Sequence, residues 1–146
     1  MKEAATPFQL MLDQYQAAVL AKDVAAFTAL YDDEVQVFDM WGSWSLNGIE
    51  AWRAMASGWF SSLGSETVVV TASEVCSTQT GDLAIGHALL TFTAVSTEGE
   101  RRRSMSNRIT VGMKRSGHHW KVFHEHTSAP IDPQSAKAIL QWAPED

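Results

Sequence analysis

Apolar positions in the first third of the chain recur at spacings of three and four. Phe8, Met11, Leu12, Tyr15 and Val19 share one helical face. Thr6 followed by Pro7 supplies an N-cap and a first-turn residue, so the spacing predicts a helix that runs to about Lys22. Asp23 reads as a second N-cap, with Val24, Phe27, Leu30 and Tyr31 as the inner face of a short helix ending before Asp32-Asp33. Glu34 to Asp39 alternates and predicts a strand. Asn47 with Glu50 has capping-box spacing, and Ile49, Trp52, Met55, Ala56 and Trp59 recur at helical intervals, predicting a third helix.

From Glu66 onward the texture turns β-branched and alternating, broken at Thr80-Gly81-Asp82, Glu98-Gly99-Glu100 and Arg115-Ser116-Gly117. Four strands are expected, at about 66–78, 83–97, 102–114 and 119–128, forming a strongly curved antiparallel meander. Pro130 and Pro133 end the sheet. Asp132-Pro133 then opens either a short helix through Ile139 and Leu140 or a mobile tail. Three helices before a long sheet define an α+β arrangement over residues 1–146, one domain in which helices cover one sheet face and the curvature leaves a cone.

Composition narrows the function. With 146 residues, 45% hydrophobic, the chain is large enough for one core without a disulfide framework. The single cysteine, Cys76, reads as a core or strand-face residue. A net charge of −6 argues against nucleic-acid partners, and Arg101-Arg102-Arg103 reads as a solvated end beside a hairpin turn. No apolar run is long enough to span a membrane and the first seven residues lack the apolar segment of a signal peptide, so the expectation is a soluble, cytoplasmic protein with no membrane partner. Four of the six tryptophans, Trp41, Trp44, Trp52 and Trp59, lie within 19 positions. Trp52 and Trp59 share a helix face, while Trp41 and Trp44 fall in a connection at the expected mouth of the cone. Together they suggest an apolar cavity for a flat or apolar small molecule bearing one anionic or carbonyl oxygen.

Specific segments carry a family likeness. Tyr15-Gln-Ala-Ala-Val-Leu-Ala-Lys-Asp23-Val-Ala-Ala-Phe27, then Tyr31-Asp-Asp-Glu-Val-Gln-Val-Phe-Asp39, Gly48, and the ending Gly117-His-His-Trp120-Lys-Val-Phe-His124-Glu-His126-Thr-Ser128-Ala-Pro130 resemble the nuclear transport factor 2-like superfamily. Within it the chain is similar to SnoaL-like and ketosteroid-isomerase-like proteins. The resemblance implies a cone-shaped, cystatin-like roll of three helices on a curved antiparallel sheet. Tyr15 and Asp39 lie 24 positions apart and Asp39 is followed by Gly42 and Gly48, as in the isomerase pattern. That likeness implies Asp39 as general base and Tyr15 as an oxyanion donor, and it puts Thr110 where the isomerase has a second acid. It also implies that Thr110, Arg108, His87 and Leu89 point inward with Phe123, Glu125 and Thr127. Trp120, Val122, His124 and His126 would then occupy the opposite face, commonly a dimer surface. A β-bulge would invert this parity.

Asp39, Tyr15, Arg108 and His87, gathered beside Glu125, would suit proton transfer. Asp39 would be the base, Tyr15 and Arg108 would stabilise an enolate or carboxylate oxygen, and His87 would shuttle a proton. Structural alternatives stay open for each. Asp39 could cap a turn, Tyr15 could be a core aromatic, Arg108 and Glu125 could pair only with each other, and His87 could be a satisfied core histidine. His124 and His126 could bridge a metal, but no third ligand has the right spacing, so neither metal nor cofactor is expected. His118 and His119 fall in a turn. Two function classes remain: a cofactor-free isomerase, cyclase, dehydratase or hydrolase acting on a small apolar carbonyl compound, or a non-catalytic ligand-binding or assembly domain. Either is expected as a homodimer through the outer sheet face.

Overall fold

The computed structural model describes residues 5–144, so Met1–Ala4 and Glu145–Asp146 of the expected 1–146 domain lie outside the described residues. Helix α1 (Pro7–Ala21) starts where the Thr6 hydroxyl accepts the Gln9 N–H at 3.1 Å, and it ends on left-handed Lys22. Its buried face holds Phe8, Met11, Leu12, Tyr15 and Val19, as the spacing requires. Helix α2 (Val24–Thr28) is capped by Asp23, whose carboxylate accepts the Ala26 N–H.

Helix α2 is shorter than its pattern implies. Strand β1 (Tyr31–Phe38) begins at Tyr31 rather than Glu34, because the Val122 N–H donates to the Leu30 carbonyl at 3.0 Å and Tyr31 pairs with Val122. A long-range strand partner thus overrides local helical spacing. After a two-residue strand, β2 (Leu46–Asn47), helix α3 (Ile49–Ser62) opens on Gly48 at φ 88°. The expected capping box is absent: Asn47 sits in β2 and its side-chain oxygen accepts from Ser45, while a left-handed glycine makes the turn.

Strands β3 (Thr67–Thr80), β4 (Leu83–Val95), β5 (Arg101–Ser116) and β6 (His119–Ser128) follow the sequence pattern closely. The six strands are ordered β2-β1-β6-β5-β4-β3 in a curved, unclosed sheet. It is mixed rather than wholly antiparallel, because β1 runs parallel to β6. Register shifts between Ser73 and Cys76, with Glu74 at φ 52°, and between Gly112 and Met113 mark bulges in the sheet.

Those bulges and the seat of α1 decide which side chains face the core. On β4 the inner positions are Ala84, Gly86, Ala88 and Leu90, small where α1 presses closest. At Gly86 an added Cβ would lie 2.1 Å from the Phe8 ring. His87 is therefore on the outer face, not inward. On β5 the buried alternation is Asn107, Ile109, Val111 and Met113, which turns Arg108 and Thr110 outward and exposes both. On β6 Phe123 is the extra, bulged residue. Its ring lies over Gly112 on the outer side while Val122 is fully buried and Trp120 packs on the core. Beyond the bulge, Glu125 and Thr127 face inward, with His124 and His126 on the other side.

The C-terminal segment forms no helix. Ile131 bridges Ala138, and the Leu140 carbonyl accepts the Ser106 N–H at 2.7 Å, so the chain runs along the edge of β5 beyond the end of β6. This pairing satisfies strand groups that would otherwise stand open. Cys76 lies on an exposed strand face. Among the described residues no helix is long and apolar enough to cross a membrane.

Candidate functional site

Between the helices and the concave sheet face lies a cavity of about 480 Å³. Tyr15 comes from α1; Trp52, Met55 and Trp59 come from α3; Phe92, Met105 and Asn107 come from β4 and β5. Glu125 and Thr127 of β6 close its inner end with Asp39, the residue after β1, and Trp41 stands at the mouth. Phe27 anchors the wall, with ring centroids 5.3 Å from Tyr15, 5.4 Å from Tyr31 and 5.9 Å from Trp52. This aromatic packing holds α2 and α3 in fixed relation to the polar end.

The polar end is a carboxylate pair in an apolar setting. Glu125 is 1% exposed, and the Tyr31 hydroxyl donates to its Oε1 at 2.6 Å. Burial pushes the Glu125 carboxyl up to about 7; the Tyr31 hydrogen bond opposes the shift and the Asp39 charge adds to it. Half-buried Asp39 is also raised by desolvation, against hydrogen bonds from the Thr127 hydroxyl at 3.0 Å and from the Met40 N–H at 3.0 Å. Tyr15 is held well above the ordinary phenol range by burial, then by the charges of Glu125 and Asp39, so it stays a neutral donor beside both. Asn107 Oδ1, buried at the cavity wall, has no hydrogen-bond partner among the described residues, while the Trp52 indole packs against Tyr31 with ring centroids 5.6 Å apart.

Of the residues the sequence nominated, the cavity brings together Tyr15, Asp39, Trp41, Trp52, Trp59, Glu125 and Thr127. It excludes five. Arg108 donates to Ser128 on the outer face at 3.1 Å and does not reach Glu125, so among the described residues no cation pairs with that carboxyl. His87, Thr110 and Phe123 lie outside for the packing reasons above, and Trp44 is 97% exposed. Sequence reading missed Tyr31, assigned to a helix face, and Asn107. The apolar alternation Ile109, Val111, Met113 would have placed Asn107 inward had parity been anchored there. Arg103, read as part of a solvated run, is exposed as that reading has it and also lines the cavity rim. Among the described residues no group of three or more His, Cys, Asp or Glu side chains is arranged to hold a metal; His124 Nδ1 lies 2.9 Å from the Gln36 carbonyl instead.

Helices packed on a curved, unclosed sheet around such a cavity define a nuclear transport factor 2-like, cystatin-like roll. The chain belongs to the SnoaL-like domain family, whose model matches residues 9–132. It is similar to an NTF2-like protein of unknown function from Pseudomonas putida KT2440, with 27% identity, 94% of each chain covered and a TM-score of 0.81. Two further structures share the fold. A proposed calcium/calmodulin-dependent protein kinase II association domain from Xanthomonas campestris is 15% identical, with 89% of this chain and 95% of that one covered and a TM-score of 0.71. A proposed scytalone dehydratase from Novosphingobium aromaticivorans is 12% identical, with 83% and 80% covered and a TM-score of 0.70. No curated protein matches the chain.

Proposed function

We propose that this SnoaL-like chain, one domain over residues 1–146, performs cofactor-free acid–base chemistry on a small apolar carbonyl compound, as an isomerase, cyclase, dehydratase or hydrolase. The carrying observation is the pair Asp39 and Glu125, both with raised pKa, at the closed end of an apolar cavity beside the neutral phenol of Tyr15. In this reading Asp39 removes a proton from the carbon next to the carbonyl. The electron pair moves onto the carbonyl oxygen, which takes a hydrogen bond from Tyr15. As that pair returns, Glu125, poised near neutrality, protonates a conjugated carbon in an isomerisation or a departing hydroxyl as its C–O bond breaks in a dehydration. Asp39 then releases its proton to water while Glu125 takes one up. Trp41, Trp52 and Trp59 exclude water and hold a flat substrate against the sheet.

The protein is expected in the cytoplasm as a homodimer through the outer sheet face. Ile85, 51% exposed, and Phe123, 37% exposed, support that surface. They also favour the second reading, a non-catalytic ligand-binding or assembly domain, in keeping with the name of the Xanthomonas relative.

Deuterium exchange at the α-carbon of α- and β-tetralone in D2O, followed by proton NMR, separates the two. Enzyme-accelerated exchange that falls about a hundredfold or more in Asp39→Asn, with ketone binding retained, supports catalysis. Binding without any acceleration of exchange favours the alternative.

A further inference from the structure

The polar end accounts for one pole of the cavity. The other pole carries a side chain that the acid–base reading does not use. Residues 103, 104, 105 and 107 of β5 line the cavity, and Arg103 pairs with buried Ala94 of β4, so it starts on the inner face of the strand while its side chain, 63% exposed, reaches out at the rim. Among the described lining residues it is the only cation, in a chain whose net charge is −6, and the acidic groups of the lining, Asp39 and Glu125, stand at the other pole.

Ala94, directly opposite Arg103 on β4, offers only a methyl group, and Val68 of β3 follows in the same row. The guanidinium spans that row toward Glu66, just before β3. There Nη1 meets both carboxylate oxygens, at 3.0 Å from Oε1 and 3.2 Å from Oε2. Nη2 and Nε have no partner among the described residues, so the pair with Glu66 orients the fork and leaves two donors free.

The two poles are well separated. Thr127, which holds Asp39, pairs with Ile109. Arg103 precedes Ile109 by six residues, roughly 20 Å along the strand before the side chains reach back. Trp59 and Phe92, with ring centroids 6.0 Å apart, and Met105 fill the interval with apolar surface.

We propose that Arg103 is an anion anchor and that the cavity takes an elongated, flat organic acid, its carboxylate or similar anionic group at Arg103 and its carbonyl end beside Asp39 and Glu125. A compact neutral ketone would leave the Arg103 end unmatched. The proposal rests on the reading above only in taking this cavity as the ligand site. Arg103 here determines specificity and takes no part in proton transfer.

The test is a fluorescence titration with two probes of one shape, 6-(p-toluidino)naphthalene-2-sulfonate and its neutral counterpart N-(p-tolyl)-2-naphthylamine. The wild type is expected to prefer the sulfonate. Arg103→Gln should weaken the sulfonate about fivefold, a modest factor because the rim is open to water, and leave the neutral probe within about twofold. Glu66→Gln, which frees the guanidinium, should tighten the sulfonate, and added salt should weaken the sulfonate alone. Equal sulfonate affinity in wild type and Arg103→Gln, parallel loss of both probes, or failure of both to bind the wild type would overturn the proposal. Charge selectivity without tetralone exchange would leave the anchor standing and remove the catalytic reading; exchange without charge selectivity would do the reverse.

Discussion

The Tyr31 hydroxyl donates a 2.6 Å hydrogen bond to Glu125 Oε1 across 94 positions of sequence, tying the first strand to the last at the closed end of the cavity. Both residues are buried, at 3% and 1% exposure, so water cannot replace this bond if it is lost. Their strands are neighbours, and the parallel pairing of β1 with β6 sets the two side chains on the same inner face.

Tyr31→Phe keeps the ring and deletes the donor. Global stability is expected to fall by about 1–3 kcal/mol, the usual penalty for stripping a partner from a buried acceptor. The Glu125 carboxyl should also rise above about 7, because the lost hydrogen bond is the one influence holding it down. Urea unfolding and a 13C-carboxyl NMR titration read the two effects, and an unmoved Glu125 titration would count against the assigned role of the bond.

Glu125 should leave a signature in stability against pH. Its pKa is about 7 in the folded chain against an ordinary 4.5, so between those values the folded state keeps a proton that the unfolded state has released. Stability from this group is fully present below pH 4.5 and is lost as pH rises through 7, by about 3 kcal/mol at most. Asp39, also raised, acts in the same direction. Denaturation midpoints across pH 4.5 to 8 should decline in the wild type and flatten in Glu125→Gln.

Gly86→Ala tests how α1 sits on the sheet. A Cβ at 2.1 Å from Phe8, which is itself fully buried, has nowhere to go, and a loss of about 1–3 kcal/mol is expected from overpacking. Gly112→Ala places its Cβ 2.8 Å from the tip of Phe123, but that ring is partly exposed and can swing away. A smaller loss, under about 1 kcal/mol, is expected there. Thermal melts of the two variants should differ accordingly.

Trp41 and Trp44 are expected to part company. Trp41 lines the cavity mouth, whereas Trp44 is 97% exposed and lines nothing there. Trp41→Ala should weaken both naphthalene probes several-fold and Trp44→Ala should leave both unchanged, in the same fluorescence titration.

The proposed homodimer depends on the outer sheet face. Ile85→Lys combined with Phe123→Lys puts two charges into its apolar surface and should convert the protein to a monomer by light scattering at micromolar concentration. A mass unchanged by the double substitution would remove that face as the contact.

Local patterning carried the elements furthest. Thr6, Asp23, the stripe from Phe8 to Val19 and the turn glycines act within a few residues, and the structure follows them. The departures occur where distant chain intervenes. Tyr31 leaves its helical pattern for β6, Gly48 replaces the capping box, and the C-terminal segment pairs with β5 instead of coiling. The cavity was legible in part: Tyr15, Asp39 and the tryptophans of α3 line it, and Glu125 and Thr127 join them. Strand parity failed for His87, Arg108, Thr110 and Phe123, because one bulge or a one-residue offset exchanges every face beyond it.

The sequence by itself determined the three helices, the first strand and the four long strands in order, and an acidic, aromatic-rich chain, since these depend on short-range spacing and residue type, while the likeness of whole segments marked the family. Tertiary structure alone decided which carboxylate is buried, what it bonds and which arginine faces the cavity. Those outcomes come from the parallel pairing of β1 with β6, the bulge at Phe123 and the pressure of Phe8 on Gly86. Each is a contact between residues far apart in the chain, and no local pattern encodes the distance between them.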